Sequence, residues 1–188
     1  MTFDRNAFRD LDPGQRVLMG PGPSDVHPRV LQALSAPCIG HLDPRFLSIM
    51  DETQQLLRFL FQTQNPLTMP VSGTGSAGME ACFVNLVEPE DEVVVCVNGV
   101  FGTRMADIVN RLQGTLIRVD AEWGRAVDPD AVRKAVQGRS PKVLAMVHAE
   151  TSTGACTPLE DLSRIAKDCG ALFLVDMVTS LAGMEVAL

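Results

Sequence analysis

The sequence predicts an α/β fold, a mostly parallel sheet with helices on both faces. From Leu67 onward, short and near-continuously apolar runs alternate with segments of helical period. Strands buried on both faces read as unbroken apolar runs, and a helix in each connection is what joins parallel neighbours. A further observation is local: Val71-Ser-Gly-Thr-Gly-Ser-Ala-Gly-Met-Glu80 sets a glycine-rich, hydroxyl-bearing turn between one apolar run and a helical pattern.

Residues 1–66 stand apart from this alternation as a first segment. Gly20-Pro-Gly-Pro-Ser24 and His27-Pro28 cannot propagate a helix, so the chain there is extended, and Pro28 to Leu34 reads as a short helix. Asp43-Pro44 opens a long amphipathic helix whose apolar stripe is Phe46, Ile49, Met50, Thr53, Leu57, Leu60 and Phe61, read as core packing. Residues 67–188 carry the sheet. Strands are expected at Leu67 to Val71, Val93 to Val97, Leu116 to Val119, Val143 to His148 and Ala171 to Val175. Helices are expected near 76–88, 101–113, 128–138 and 158–169, several opened by Asp, Pro or Thr.

The 188 residues are 46% hydrophobic, with a net charge of −7 and a pI near 4.9. Nucleic acid and anionic membranes both attract a basic face, so neither is expected as a partner. No apolar run approaches the roughly 20 residues of a membrane span. Met1-Thr-Phe-Asp-Arg-Asn6 lacks the basic and apolar regions of a secretory leader, which points to the cytoplasm. Cys38, Cys82, Cys96, Cys156 and Cys169 are widely spaced, without a CxxC pair or a His/Cys cluster. They read as buried free thiols, not as disulfides or metal ligands. His27, His41 and His148 are equally scattered.

The glycine turn can hold a phosphate without any basic side chain. Free N–H groups at a helix start, together with the helix dipole, favour an anion, and Thr74 and Ser76 add hydroxyls. Gly73, Gly75 and Gly78 also match GxGxxG, so a dinucleotide site competes with a phosphate cofactor. The dinucleotide reading calls for an acid about 20 residues on, at the end of the next strand. Asn98-Gly99 stands there instead, and Glu90, Asp91 and Glu92 lie at that strand's beginning. Arg104 is available to a 2′-phosphate, so NAD(P) stays open at this point, as does a turn that only packs a helix closely on a strand.

The second chemical feature is Leu172-Phe-Leu-Val-Asp176-Met-Val-Thr-Ser180, an apolar strand ending in a carboxylate and then hydroxyls. In open α/β sheets, ligands sit beyond the carboxyl ends of the strands, so Asp176 stands where a cofactor would lie. A carboxylate there can keep a pyridine nitrogen protonated. His148-Ala-Glu-Thr-Ser-Thr-Gly154 follows another strand and brings Thr151 and Ser152 to the same edge.

The segments MGPGPSDVHPRVL, GHLDPRF, FQTQNPL, VSGTGSAGMEA, NGVFGTR, HAETSTG and LVDMVTSLAGMEV run from about residue 17 to the end. In that order and spacing the chain resembles the first half of class V, fold type I pyridoxal-phosphate aminotransferases, in particular the alanine–glyoxylate, serine–glyoxylate and serine–pyruvate group. The resemblance implies that Thr74, Gly75 and Ser76 bind the phosphate of pyridoxal 5′-phosphate, and that Phe101 stacks on its ring. Thr151 then lies near the ring's 3-oxygen, Asp176 pairs with the ring nitrogen, and Val178 packs on the opposite ring face. Gly20-Pro-Gly-Pro23 would close over the substrate, with Gly22 a substrate-binding residue, and His41 would lie near a homodimer interface.

The same resemblance implies an amino group passing from alanine or serine to glyoxylate or a similar 2-oxo acid. Ureidoglycine–glyoxylate transamination is a close relative, and a noncatalytic phosphate-binding or subunit-association fragment is a further alternative. The family's Schiff-base lysine comes roughly two dozen residues after the aspartate, beyond Leu188, and Lys134, Lys142 and Lys167 are poor substitutes. The chain is therefore expected to lack the last two strands of the large domain and the C-terminal small domain, and to be inactive alone. In the family's sheet order, Leu67 to Val71 would stand about 14 Å from Ala171 to Val175, with no ladder between them.

Overall fold

A computed structural model describes residues 11–185. The Met1–Asn6 start and Val186, which ends the last matching segment, lie outside the described residues. The chain divides between Gly40 and His41 into two compact units.

The first unit carries α1 (Pro28–Leu34), which starts as its sequence requires: Pro28 fixes the first turn, and His27 Nδ1 accepts from Arg29 N at 3.2 Å. Residues 11–40 are all exposed.

The second unit opens with α2 (Pro44–Leu60), capped by Asp43, whose Oδ1 accepts from Arg45 N at 2.7 Å. The main sheet has four strands, β1 (Glu92–Val97), β2 (Thr115–Asp120), β3 (Val143–Val147) and β6 (Leu172–Asp176), in the order β2-β1-β3-β6. Every ladder in it is parallel. α3 (Gly75–Leu86) precedes β1, α4 (Val100–Arg111) links β1 to β2, and α5 (Pro129–Val136) links β2 to β3. Between β3 and β6 run a small antiparallel hairpin, β4 (Ala149–Glu150) with β5 (Ala155–Cys156), and α6 (Glu160–Cys169). Gly170 ends α6 at φ 76°, a left-handed position that a glycine takes without steric cost.

The central strands β1 and β3 have two buried faces, and their alternation divides the core. Val93, Val95, Val97, Val143, Ala145 and Val147 pack with Phe83 of α3 and Met105 and Val109 of α4. Val94, Cys96, Leu144 and Met146 face Val132 of α5 and Leu162 and Ile165 of α6. Each fully buried valine or leucine contributes about 1.5–3 kcal/mol relative to exposure. The α/β fold with a parallel sheet and helices on both faces is thus the fold the apolar runs imply.

Several local expectations need correction. Leu67 to Val71 is not a strand. Leu67 N donates to Asn65 Oδ1 at 3.0 Å, Thr68 Oγ1 donates to Asn65 O at 2.7 Å, and Arg58 grips the carbonyls of Asn65 and Pro66. Those bonds bend the segment's start, and no strand lies beside it among the described residues, so Leu67, Met69 and Val71 are 77%, 59% and 65% exposed. The α2 stripe is not core either: Phe46, Met50, Thr53, Leu57 and Phe61 are half-buried, Ile49 and Leu60 are exposed, and α2 buries no residue. Of the cysteines, all free, Cys96 alone is buried, and desolvation pushes its thiol up to about 12; Cys38, Cys82 and Cys156 are exposed and Cys169 is half-buried.

Candidate active site

The sheet order reverses between β1 and β3: the chain leaves β1 for β2 on one side and leaves β3 for β6 on the other. A crevice forms at such a switch point, beyond the carboxyl ends of the strands. Here it is a solvent-open cleft of about 490 Å³ lined by Thr74, Gly75, Ser76, Met79, Phe101, Val147, Thr151, Asp176, Val178 and Thr179. All the residues singled out for the phosphate and the ring, from Thr74 to Val178, meet there. Gly22 lies in the first unit, whereas the cleft belongs to the second.

One end of the cleft is the start of α3. Thr74 is its N-cap, and its Oγ1 accepts from Ala77 N at 3.3 Å. Among the described residues the N–H groups of Gly75 and Ser76 have no acceptor, and no acid stands in the first turn. That combination attracts an anion. Arg104 reaches from α4 to donate to Ser76 Oγ, and its guanidinium carbon stands 5.2 Å from the centre of the Phe101 ring.

The other end is built from β3 and β6. Their register pairs Val147 with Asp176, so the carboxylate emerges level with the end of β3. Asp176 Oδ1 accepts from Val178 N at 2.9 Å, which holds the turn that follows, while Oδ2 has no partner among the described residues. Thr151 and Thr179 share a hydroxyl hydrogen bond across that turn. Beneath it His148, buried, bonds through Nδ1 to Ser180 Oγ at 2.9 Å and donates its backbone N–H to Asp176 O. Burial pushes the imidazole below its ordinary pKa, and the charge of Glu160 opposes this more weakly.

Met79, Val147 and Thr179 also line the cleft and were not singled out as site residues in the sequence. Met79 sits in the helical stripe of α3, and Val147 sits in a buried strand, so each reads locally as core. Thr179 is legible only once Asp176 is taken as the end of a strand. Asn98, where a dinucleotide site would place its acid, is buried and spends its amide on Arg125 O at 3.0 Å. A dinucleotide fingerprint also needs a strand before its glycine turn, and residues 67–71 are not one.

None of the three lysines lines the cleft. Lys134 and Lys167 are exposed on α5 and α6, and Lys142 pairs with Asp91 at 2.6 Å at the amino end of the sheet. That pair lowers the Asp91 pKa and raises that of Lys142 through their mutual hydrogen bond.

A helix start with free N–H groups, an aromatic face and a strand-end carboxylate in one cleft of a parallel sheet match the large domain of fold type I pyridoxal-phosphate enzymes. More narrowly, the chain belongs to the class V aminotransferases, whose family profile, Aminotransferase class-V, matches residues 18–188. It is 41% identical over 178 residues to (S)-ureidoglycine–glyoxylate transaminase of Bacillus subtilis, covering 95% of this chain and 43% of that protein. It is 38% identical over 178 residues to alanine–glyoxylate aminotransferase of Drosophila melanogaster, covering 94% of this chain and 45% of that one. Among solved structures, alanine–glyoxylate aminotransferase from Nostoc sp. superposes with a TM-score of 0.92 at 46% identity, over 99% of this chain and 50% of that chain. The chain thus spans about half the length of the relatives it matches.

Class V aminotransferases use pyridoxal 5′-phosphate, and the cleft fits it in three respects. The α3 start offers free N–H donors to a phosphate; Gly75, where a β-carbon would collide with Val178 at 2.7 Å, lets the loop and the 177–180 turn close together; and Asp176 keeps an oxygen free at the far end.

Proposed function

We propose that the full-length protein is an aminotransferase moving the amino group of a small amino acid, alanine or serine, to glyoxylate or a similar 2-oxo acid. The observation that carries this reading is the meeting of Thr74, Gly75, Ser76, Phe101, Thr151, Asp176 and Val178 in one cleft. Thr74, Gly75 and Ser76 bind the cofactor phosphate, Phe101 and Val178 pack against the two faces of the ring, and Thr151 hydrogen-bonds near its 3-oxygen. When bound, pyridoxal phosphate supplies an electron sink for the carbanion formed at the amino acid's α-carbon. Asp176 holds a proton at the pyridine nitrogen, which keeps that sink deep. Gly22 contributes to substrate binding.

A second donor, ureidoglycine, is favoured by the 41% identity to the Bacillus subtilis transaminase. A homodimeric assembly and a cytoplasmic site of action belong to the same reading; no helix among the described residues is long and apolar enough to cross a membrane. The lysine that binds the cofactor covalently is not among Lys134, Lys142 and Lys167, and the 188-residue chain alone is inactive.

The test is a transamination assay on the full-length protein with alanine, serine and (S)-ureidoglycine as donors and glyoxylate and pyruvate as acceptors. Transfer from at least one donor to glyoxylate is expected. Failure of every pair, in a protein that also takes up no pyridoxal phosphate, overturns the reading.

A further inference from the structure

The starts of α3 and α4 both line the cleft, through Thr74 to Ser76 and through Phe101, and they are treated differently. At α3 the first N–H groups are free. At α4 each has an acceptor: Val100 N donates to Ser152 Oγ at 3.0 Å, and Phe101 N and Gly102 N donate to Glu150 Oε2 at 3.1 and 3.2 Å. The other oxygen of Glu150 accepts from Ser152 N at 3.2 Å and from Ser152 Oγ at 2.6 Å. Glu150 is 1% exposed, and no basic side chain pairs with it among the described residues. The partner of its charge is the positive end of α4. Gly99, the α4 N-cap, makes room for it: a β-carbon there would stand 2.3 Å from Glu150 Cγ.

These bonds join two elements that both reach the cleft. Phe101 is on the first turn of α4, and Thr151 directly follows Glu150. We propose that Glu150 is a positioning residue: its buried carboxylate locks the start of α4 to the turn after β4, fixing Phe101 against Thr151. It also fills the α4 N-terminus with an internal negative charge, so the phosphate is directed to the start of α3 and the ring to Phe101. This rests on the reading of the cleft as a pyridoxal-phosphate site.

Glu150→Gln keeps the shape but removes the charge and replaces one acceptor oxygen with an NH₂ group that cannot receive two N–H donors. The experiment uses the full-length protein and measures pyridoxal-phosphate affinity by absorbance titration, the circular dichroism of the bound ring, inorganic-phosphate affinity by competition, and the Tm. The variant should bind pyridoxal phosphate about tenfold more weakly, the loss of about one charge-assisted hydrogen bond, with a weakened ring dichroism. Inorganic phosphate should bind as in the wild type, because the α3 start is untouched. Wild-type cofactor affinity and dichroism in Glu150→Gln overturn the proposal, and so does an equal loss of phosphate affinity, which marks general damage. If Glu150→Gln does not fold, Ser152→Ala decides: weaker ring dichroism with unchanged phosphate affinity supports the clamp, and wild-type behaviour overturns it. A wild-type protein that takes up no pyridoxal phosphate instead sinks the cofactor reading itself.

Discussion

Gly75 stands so close to Val178 that a β-carbon on the glycine would lie 2.7 Å from Val178 Cγ2. The helix start offered to the phosphate and the residue offered to the ring are therefore in mutual contact. Gly75→Ala must displace the Val178 side chain, which is 69% exposed and can give way at little cost to the fold, so the change falls on the cleft itself. Pyridoxal-phosphate affinity should fall about tenfold. Gly75→Glu adds a negative charge at the anion end and should abolish binding. An absorbance titration of both variants gives the answer, and normal affinity in either removes the loop from the site.

Asp176→Asn separates chemistry from binding. The amide cannot stabilise a protonated ring nitrogen, while Thr74, Gly75 and Ser76 remain. Turnover in the full-length protein should drop by about 3 kcal/mol in barrier or more, as when preorganised electrostatic groups are removed. Cofactor content should change little. Near-normal kcat in the variant takes Asp176 out of the mechanism.

Lys134, Lys142 and Lys167 should carry no stoichiometric label when the full-length protein is treated with pyridoxal phosphate and borohydride. Lys134 and Lys167 are exposed on helices of the face opposite α3, and Lys142 is held by Asp91 at the other end of the sheet. Peptide mapping by mass spectrometry reads the outcome. A stoichiometric label on any of the three would falsify the assignment of the cleft.

His148 should make stability acid-sensitive. Its pKa is depressed in the folded protein by burial, so below about 6.5 the unfolded chain binds more protons than the folded one. Stability from this group is full above that value and declines as the pH falls through it. His148→Asn, which keeps a polar atom near Ser180, should flatten the dependence between about pH 5 and 7. Chemical denaturation across that range measures it, and an unchanged slope would show that His148 does not titrate on unfolding.

Much of this architecture was legible because the period of the apolar residues carries it. The stretch Val93 to Val97 is buried on both faces, and its unbroken apolar run says so. Asp43-Pro44 and Asp128-Pro129 mark helix starts by local chemistry alone. Leu67 to Val71 misled because an apolar run becomes a strand only when another strand lies beside it, and Asn65 and Arg58 had already taken the polar groups at its start. The β4–β5 hairpin was too short to leave a period. In the cleft, the residues that the motif resemblance assigns to phosphate and ring do come together, so their meeting was legible. The partnership of Glu150 with Phe101 joins positions far apart in sequence and leaves no local periodicity; its trace is an acid just past one apolar run and a glycine just past another.

Every ladder of the main sheet is parallel, so none can be closed by a tight turn. The most local pairing is β1 with β2 across α4, whereas the cleft requires residues from Thr74 to Thr179 and the register of β3 on β6. Loop closure of that length comes at an entropic cost before any contact repays it. We therefore expect cofactor capture to be a late event in folding: in stopped-flow refolding with pyridoxal phosphate present, the ring signal should lag the appearance of helix. Simultaneous signals would mean that the cofactor joins while the sheet is still assembling. A lag leaves a period in which the newly made chain is structured but not yet able to hold its cofactor, so cofactor supply would do little to speed the early steps.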